Sequence, residues 1–168
     1  MSRVNITRLG WTAYAAAIAV VALDQISKAW IVATLGLVEG TSRPLLGPLH
    51  LTVVHNQGMS FGLLRGSEWG RWLLTVFSAA VVVGLAVWAR KAVRPLMAIG
   101  LGLIIGGAFG NNLIDRVRLG YVIDFIDVSR LYFPWVFNVA DSAINVGVGL
   151  LLLDSFLTGE SKLSRQTQ

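Results

Sequence analysis

Residues 106–141 read GGAFGNNLIDRVRLGYVIDFIDVSRLYFPWVFNVAD, and the rest of the chain can be assembled around them. The stretch leaves an apolar, glycine-rich run, crosses a polar connection and re-enters an apolar run after Trp135. Four of the chain's nine acidic residues lie in it: Asp115, Asp124, Asp127 and Asp141. A charge beside or inside an apolar segment is expensive, so inward-facing acids here point to function. Asp124 is bracketed by Val122-Ile123 and Phe125-Ile126, and Asp141 by Val139-Ala140 and Ala143-Ile144. Asp127 and Arg118 read instead as ordinary solvated charges of a loop at a membrane surface.

The surrounding composition is that of a membrane protein. Of 168 residues 55% are hydrophobic and only 14% charged, with a mean hydropathy of +0.67. Soluble domains carry about 25% charged residues. Apolar runs at about 11–34, 69–88, 96–114 and 136–157 each match the ~20 residues needed to cross a hydrocarbon core of ~30 Å. They predict one polytopic membrane domain over residues 1–168. The net charge of +5 is scattered, which suits a cytoplasmic membrane face and not a nucleic-acid partner. The absence of cysteine excludes thiolate nucleophiles, thiolate metal sites and disulfides. The first apolar run is long and contains Asp24 and Lys28, unlike a cleavable signal peptide.

Asp24 and Lys28 are four apart, so they share a helix face with the acid first, the favourable order. They read either as a self-neutralising pair that snorkels toward the surface or as support beside an active site. Residues 35–68 are punctuated by glycine and proline. Within them Leu49-His50-Leu51-Thr52-Val53 alternates with the period of a half-buried strand, and Asn56-Gln57-Gly58 suits a turn. Residues 59–64 predict a short amphipathic piece lying in the interface. Trp69, Trp72 and Trp88 anchor the second span, and Tyr132-Phe133-Pro134-Trp135 closes the 115–135 connection as an aromatic belt. Glycines 100, 102, 106, 107 and 110 in the third span permit close helix approach. Lysine and arginine counts place both termini in the cytoplasm, and 35–68 and 115–135 on the outer face.

Two helices joined by the 115–135 connection bring Asp124 and Asp141 to one depth. Neighbouring carboxylates share a proton. One then acts as base toward water while the other, protonated, polarises a carbonyl oxygen. That is aspartic peptidase chemistry, with no metal or cofactor. Asn56, Asn111 or Asn112, Arg116 and Asn138 are available to orient the pair and a substrate backbone. His50 and His55 are the only histidines and no H-E-x-x-H occurs, so a zinc peptidase is not expected. Ser60 lies outside any G-x-S-x-G elbow. The alternative is a proton-coupled carrier with Asp24, Lys28 and Asp141 as a relay, but no internal repeat supports it.

Five blocks then carry a family resemblance: Asp24-Gln25-Ile26-Ser27-Lys28, Asn56-Gln57-Gly58-Met59-Ser60-Phe61, Gly106 to Arg116, Val122-Ile123-Asp124-Phe125, and Phe137-Asn138-Val139-Ala140-Asp141-Ser142. In this order they resemble bacterial lipoprotein signal peptidases, also called type II signal peptidases. The resemblance implies an all-α integral membrane fold of four transmembrane helices, with a small extracytoplasmic β-rich cradle and a short interfacial amphipathic helix. It implies removal of the signal peptide from diacylglyceryl-modified prolipoproteins, before the lipidated cysteine, at the outer face of the bacterial inner membrane. Asp124 and Asp141 match the catalytic aspartates, with Asp24, Lys28, Asn56, Arg116 and Asn138 clustered around them. Inhibition by globomycin-type peptides is implied as well; contact with membrane lipids and a monomeric state are expected. One block departs from the pattern: Gly110-Asn111-Asn112-Leu113-Ile114-Asp115-Arg116 holds one residue more than the family's G-N-x-x-D-R. Spacing to Asp115 selects Asn112 and adjacency to Gly110 selects Asn111; with spacing given precedence, Asn112 joins the expected site. One extra residue turns a helix by about 100°, which predicts a local bulge.

Overall fold

A computed structural model describes residues 5–34, 36, 38–58 and 68–166, and among these the side chains of all but 34 and 160–166. Helix α1 (Arg8–Ala29) starts at Thr7, whose hydroxyl oxygen accepts the Gly10 N–H at 2.9 Å, satisfying a donor that the first turn leaves open. It runs on into a π-helical turn, Trp30–Thr34. Strands β1 (Ser42–Leu46) and β2 (Leu49–Asn56) precede α2 (Glu68–Ala89) and α3 (Pro95–Ala108). A second π-helical segment, Phe109–Asp115, carries α3 into the short α4 (Arg116–Leu119). Strand β3 (Val122–Asp127), a 3-10 turn (Ser129–Leu131), β4 (Val136–Phe137) and α5 (Val139–Gln166) complete the chain.

Among the described residues, four helical stretches are long and apolar enough to cross a membrane: Arg8–Ala33, Glu68–Ala89, Pro95–Leu119 and Val139–Gly159. They coincide with the four expected spans, except that the third runs five residues beyond its expected end at 114. It continues because the π-helical segment absorbs the extra residue without breaking the helix. It stops at Gly120, whose φ of 85° and N–H···O bond to Arg116 at 3.2 Å close the last turn.

The all-α label is too narrow, because the β-rich part expected beside the four helices is, in the described residues, a four-stranded antiparallel sheet in the order β1-β2-β3-β4. Only residues 49–53 of β2 were legible as a strand. Residues 122–127 belong to the sheet and not to an irregular connection, because they pair with β2, His50 against Asp127 and Asn56 against Val122. Asp127 is correspondingly not a solvated loop charge. It is buried, accepting from the Thr52 hydroxyl at 2.6 Å and the Ser129 N–H at 2.8 Å. Burial alone pushes its carboxyl up, but those hydrogen bonds outweigh it and hold the group below the usual carboxylate range. Arg118 is exposed, as expected. The expected interfacial amphipathic piece at 59–64 falls outside the described residues.

Helix α3 lies between α1 and α5. Its successive glycines face opposite ways: a Cβ on Gly106 would strike the backbone oxygen of Ala17, and one on Gly107 that of Ala140. Lipid offers no hydrophobic drive for helix association, so close backbone approach supplies the attraction. The burial pattern is inverted accordingly. Ile18, Leu23, Ile26, Val76, Phe77, Leu152 and Phe156 face outward, while Asp24, Lys28, Asn111, Asp115 and Arg116 are buried. At one end, Arg94 before α3 clamps Asp154 of α5 through Nε at 2.9 Å and Nη2 at 2.6 Å. At the other, Leu51, Val53 and Phe125 of the sheet pack on Ile31, in the π-helical turn that follows α1. Each such side chain is worth about 1.5–3 kcal/mol of burial, which fixes the sheet on the helix ends.

Candidate active site

Asn138 stands between β4 and α5 and is fully buried. Its Oδ1 accepts the Asp141 N–H at 2.9 Å, and the Asp141 carboxylate accepts the Asn138 N–H at 3.2 Å. This reciprocal pair is a capping box, with aspartate in the third helical position. It locks the Asp141 side chain at the head of α5. The same Asn138 donates from Nδ2 to Asp124 Oδ1 at 2.7 Å. Asp124 sits in β3 opposite Val54, and its other oxygen accepts from Asn56 Nδ2 at 3.0 Å, where β2 ends. Asn111 Nδ2 donates to Asp141 Oδ1 at 2.8 Å. One asparagine thus bridges the two aspartates singled out in the sequence, and two further amides flank them.

Burial lifts the Asp124 carboxyl to about 7, with the nearby Asp141 charge adding to the rise. Hydrogen bonds from Asn56 and Asn138 and the Lys28 charge pull the other way without overcoming it. Asp124 is therefore only partly ionised at neutral pH.

Behind the aspartates lies a buried ionic network. Lys28 Nζ contacts Asp24 Oδ2 at 2.7 Å, Asp115 Oδ2 at 2.7 Å and Asn111 Oδ1 at 2.8 Å. Asp24 Oδ1 accepts the Ala140 N–H at 3.1 Å, tying α1 to the first turn of α5. Gln25 Nε2 reaches Asp115 Oδ1 at 2.8 Å. Gly110 admits Asp24, since a Cβ there would lie 3.0 Å from Oδ2. Of the two readings of Asp24 and Lys28, surface snorkelling is the one the burial rules out.

Asn56, Asn138, Asp24 and Lys28 are brought together as expected, but Asn112 is not. The extra residue sits in the π-helical segment, and the wider turn points Asn111 inward while Asn112 accepts from Arg116 Nε at 3.1 Å. Arg116 is buried within electrostatic reach of Asp124. Its Nη1 has no hydrogen-bond partner among the described residues. Asp115 and Gln25 are additional members of the network. That Lys28 meets a second acid, Asp115, was not readable from spacing, whereas the spacing Asn138-x-x-Asp141 carries the signal of a capping box that the sequence reading did not use. Asn111→Ala should lower kcat by about a hundredfold, and Asn112→Ala by far less; purified variants assayed side by side decide between them.

A family model described as signal peptidase (SPase) II matches residues 16–157, which contain every residue of this site. The chain belongs to the signal peptidase II family. Among curated members of the family, the lipoprotein signal peptidase of Caulobacter vibrioides is 71% identical over 168 residues, the whole of both chains. That of Brevibacillus brevis is 41% identical over 150 residues, covering 88% of this chain and 96% of its own. Two solved bacterial membrane enzymes, obtained by the in meso method, superpose with a TM-score of 0.76. They are 30% and 29% identical and cover 90% and 91% of this chain, and 90% and 97% of their own. A signal peptidase II with four such spans is a multi-pass membrane peptidase, and the carrier alternative falls.

Proposed function

We propose that Asp124 and Asp141 form the dyad with which this peptidase removes signal peptides from diacylglyceryl-modified prolipoproteins. The observation that carries the reading is Asn138, which holds both carboxyl groups at once. Water between the carboxyls gives a proton to the ionised one and attacks the scissile carbonyl, whose oxygen takes a hydrogen bond from the protonated one. The tetrahedral intermediate collapses as a proton passes to the leaving amine of the lipidated cysteine. No metal or cofactor takes part in these steps. Asn56, Asn111 and Asn138 keep the carboxyls oriented, and Asp24 and Lys28 hold Asn111 and the head of α5. Arg116, buried beside Asp124, acts on the dyad through its charge.

The lysine and arginine distribution supports a single inner-membrane domain with both termini cytoplasmic and the dyad near the periplasmic face. A lipid-bearing substrate then keeps its acyl chains in the bilayer while its peptide bond meets water at the boundary. Globomycin-type peptides should compete at the dyad, and the chain should act as a monomer.

The test is a gel-shift assay in detergent with purified diacylglyceryl-prolipoprotein and, in parallel, the unmodified precursor. Only the modified form should be cut. The pH–rate profile should be bell-shaped. As pH rises through about 7, Asp124 ionises, no acid remains to polarise the carbonyl, and the rate falls. As pH drops further, the second carboxyl is protonated and the base is lost. Asn56→Ala removes a donor that favours the carboxylate, so the alkaline limb should move to higher pH. A profile flat through neutrality would contradict the shared-proton dyad.

A further inference from the structure

The sheet carries both of its hairpin tips at one end. Strand β1 returns as β2 through Gly47-Pro48, and β3 returns as β4 through residues 128–135. His50 pairs with Asp127 and Asp127 with Val136, and the Val128 N–H donates to the Trp135 oxygen at 3.2 Å. Leu45, Leu46 and residues 131–135 therefore share the end away from Asn56 and the dyad. Centre to centre the two tips are two strand spacings of about 4.8 Å apart, roughly 10 Å.

Both tips are apolar and open. Leu46 is 75% exposed and Tyr132 completely so, with Leu45, Phe133 and Trp135 exposed beside them. Tyr132 also has a φ of 62°, a left-handed conformation that a bulky residue rarely adopts and that commonly marks function. Arg43 and Arg130 are exposed on the same two hairpins, and residues 42–49 and 128–136 contain no acid. Leucine and aromatic side chains flanked by arginine, without acid, match the chemistry of an anionic lipid surface. The membrane is also within reach. Trp135 is three residues from Asn138 at the head of α5, at most about 10 Å of extended chain.

We infer that the two hairpin tips make a membrane contact of their own, apart from the four spans. Leu45, Leu46, Tyr132, Phe133 and Trp135 enter the headgroup region of the outer leaflet, and Arg43 and Arg130 bind the phosphates of anionic lipids. The contact pins the end of the sheet opposite the dyad, so lipid composition bears on how β3 presents Asp124.

The chain has no cysteine, which makes the test direct. Leu46→Cys and Tyr132→Cys, on separate hairpins, each receive an environment-sensitive fluorophore in the full-length protein, one copy per nanodisc. Nanodiscs contain phosphatidylcholine alone or with phosphatidylglycerol, and cleavage by each labelled variant verifies its fold. If one label abolishes cleavage, the other hairpin carries the test. The labels should be quenched by headgroup spin-labelled lipid and shielded from iodide, more strongly with phosphatidylglycerol. Arg43→Gln with Arg130→Gln should remove that lipid dependence. Free access of iodide in both lipids would overturn the contact and leave the patch to a polypeptide. Equal shielding in both lipids would overturn its anionic selectivity. Shielding that appears only with two copies per disc would make the patch a self-interface and overturn the proposal too.

Discussion

Asp124→Asn and Asp141→Asn should each abolish cleavage, lowering kcat by about four orders of magnitude or more, while the chain stays folded. Asparagine has the size of aspartate but neither takes nor shares a proton. The local fold survives because the amide oxygen still accepts. At position 124 it can take Asn138 Nδ2 or Asn56 Nδ2, and at 141 the Asn138 N–H or Asn111 Nδ2. Each variant forces one donor-to-donor encounter, a modest loss of roughly 1–3 kcal/mol. Gel-shift cleavage of a diacylglyceryl-prolipoprotein, beside circular dichroism of the same sample, separates chemistry from folding. Full turnover by either folded variant would remove the dyad assignment.

The second large effect is on stability. Lys28→Met should destabilise the protein by about 3–5 kcal/mol. Lys28 is 3% exposed and, among the described residues, forms the ion pairs with both Asp24 and Asp115, which are themselves buried. Methionine fills the space of the aliphatic stem but leaves two buried carboxylates without the ammonium that paired with both. Breaking a buried ion pair on one side costs far more than its net contribution, because the orphaned charge remains desolvated. Thermal unfolding in detergent measures the loss. Adding Asp24→Leu removes one orphan and should recover part of it, so the double variant should be more stable than the sum of single effects predicts. Strict additivity would mean that Asp24 and Lys28 are not energetically coupled. Activity should fall with Lys28→Met as well, since Asn111 loses the partner that aims it at Asp141.

Much of this protein was determined locally. Four apolar runs of membrane-spanning length depend only on the order of residues, and the helices follow them closely. Asp124 and Asp141 stood out because each interrupts apolar neighbours, and Asn138-Val139-Ala140-Asp141 encodes its own capping box over four residues. Tertiary structure decided what depends on distant partners. Residues 122–127 became a strand because β2, more than sixty residues earlier, supplies the edge they pair with. That pairing also buried Asp127 against Thr52. The choice of Asn111 over Asn112 fell to the π-helical turn, whose phase differs from the 3.6-residue period that spacing arguments assume. Asp115 joined the network only when α3 and its extension packed against α1. Hydropathy and capping act within a few residues and are written in order. Strand register and the solvation of a buried charge arise from contacts between segments far apart in the chain.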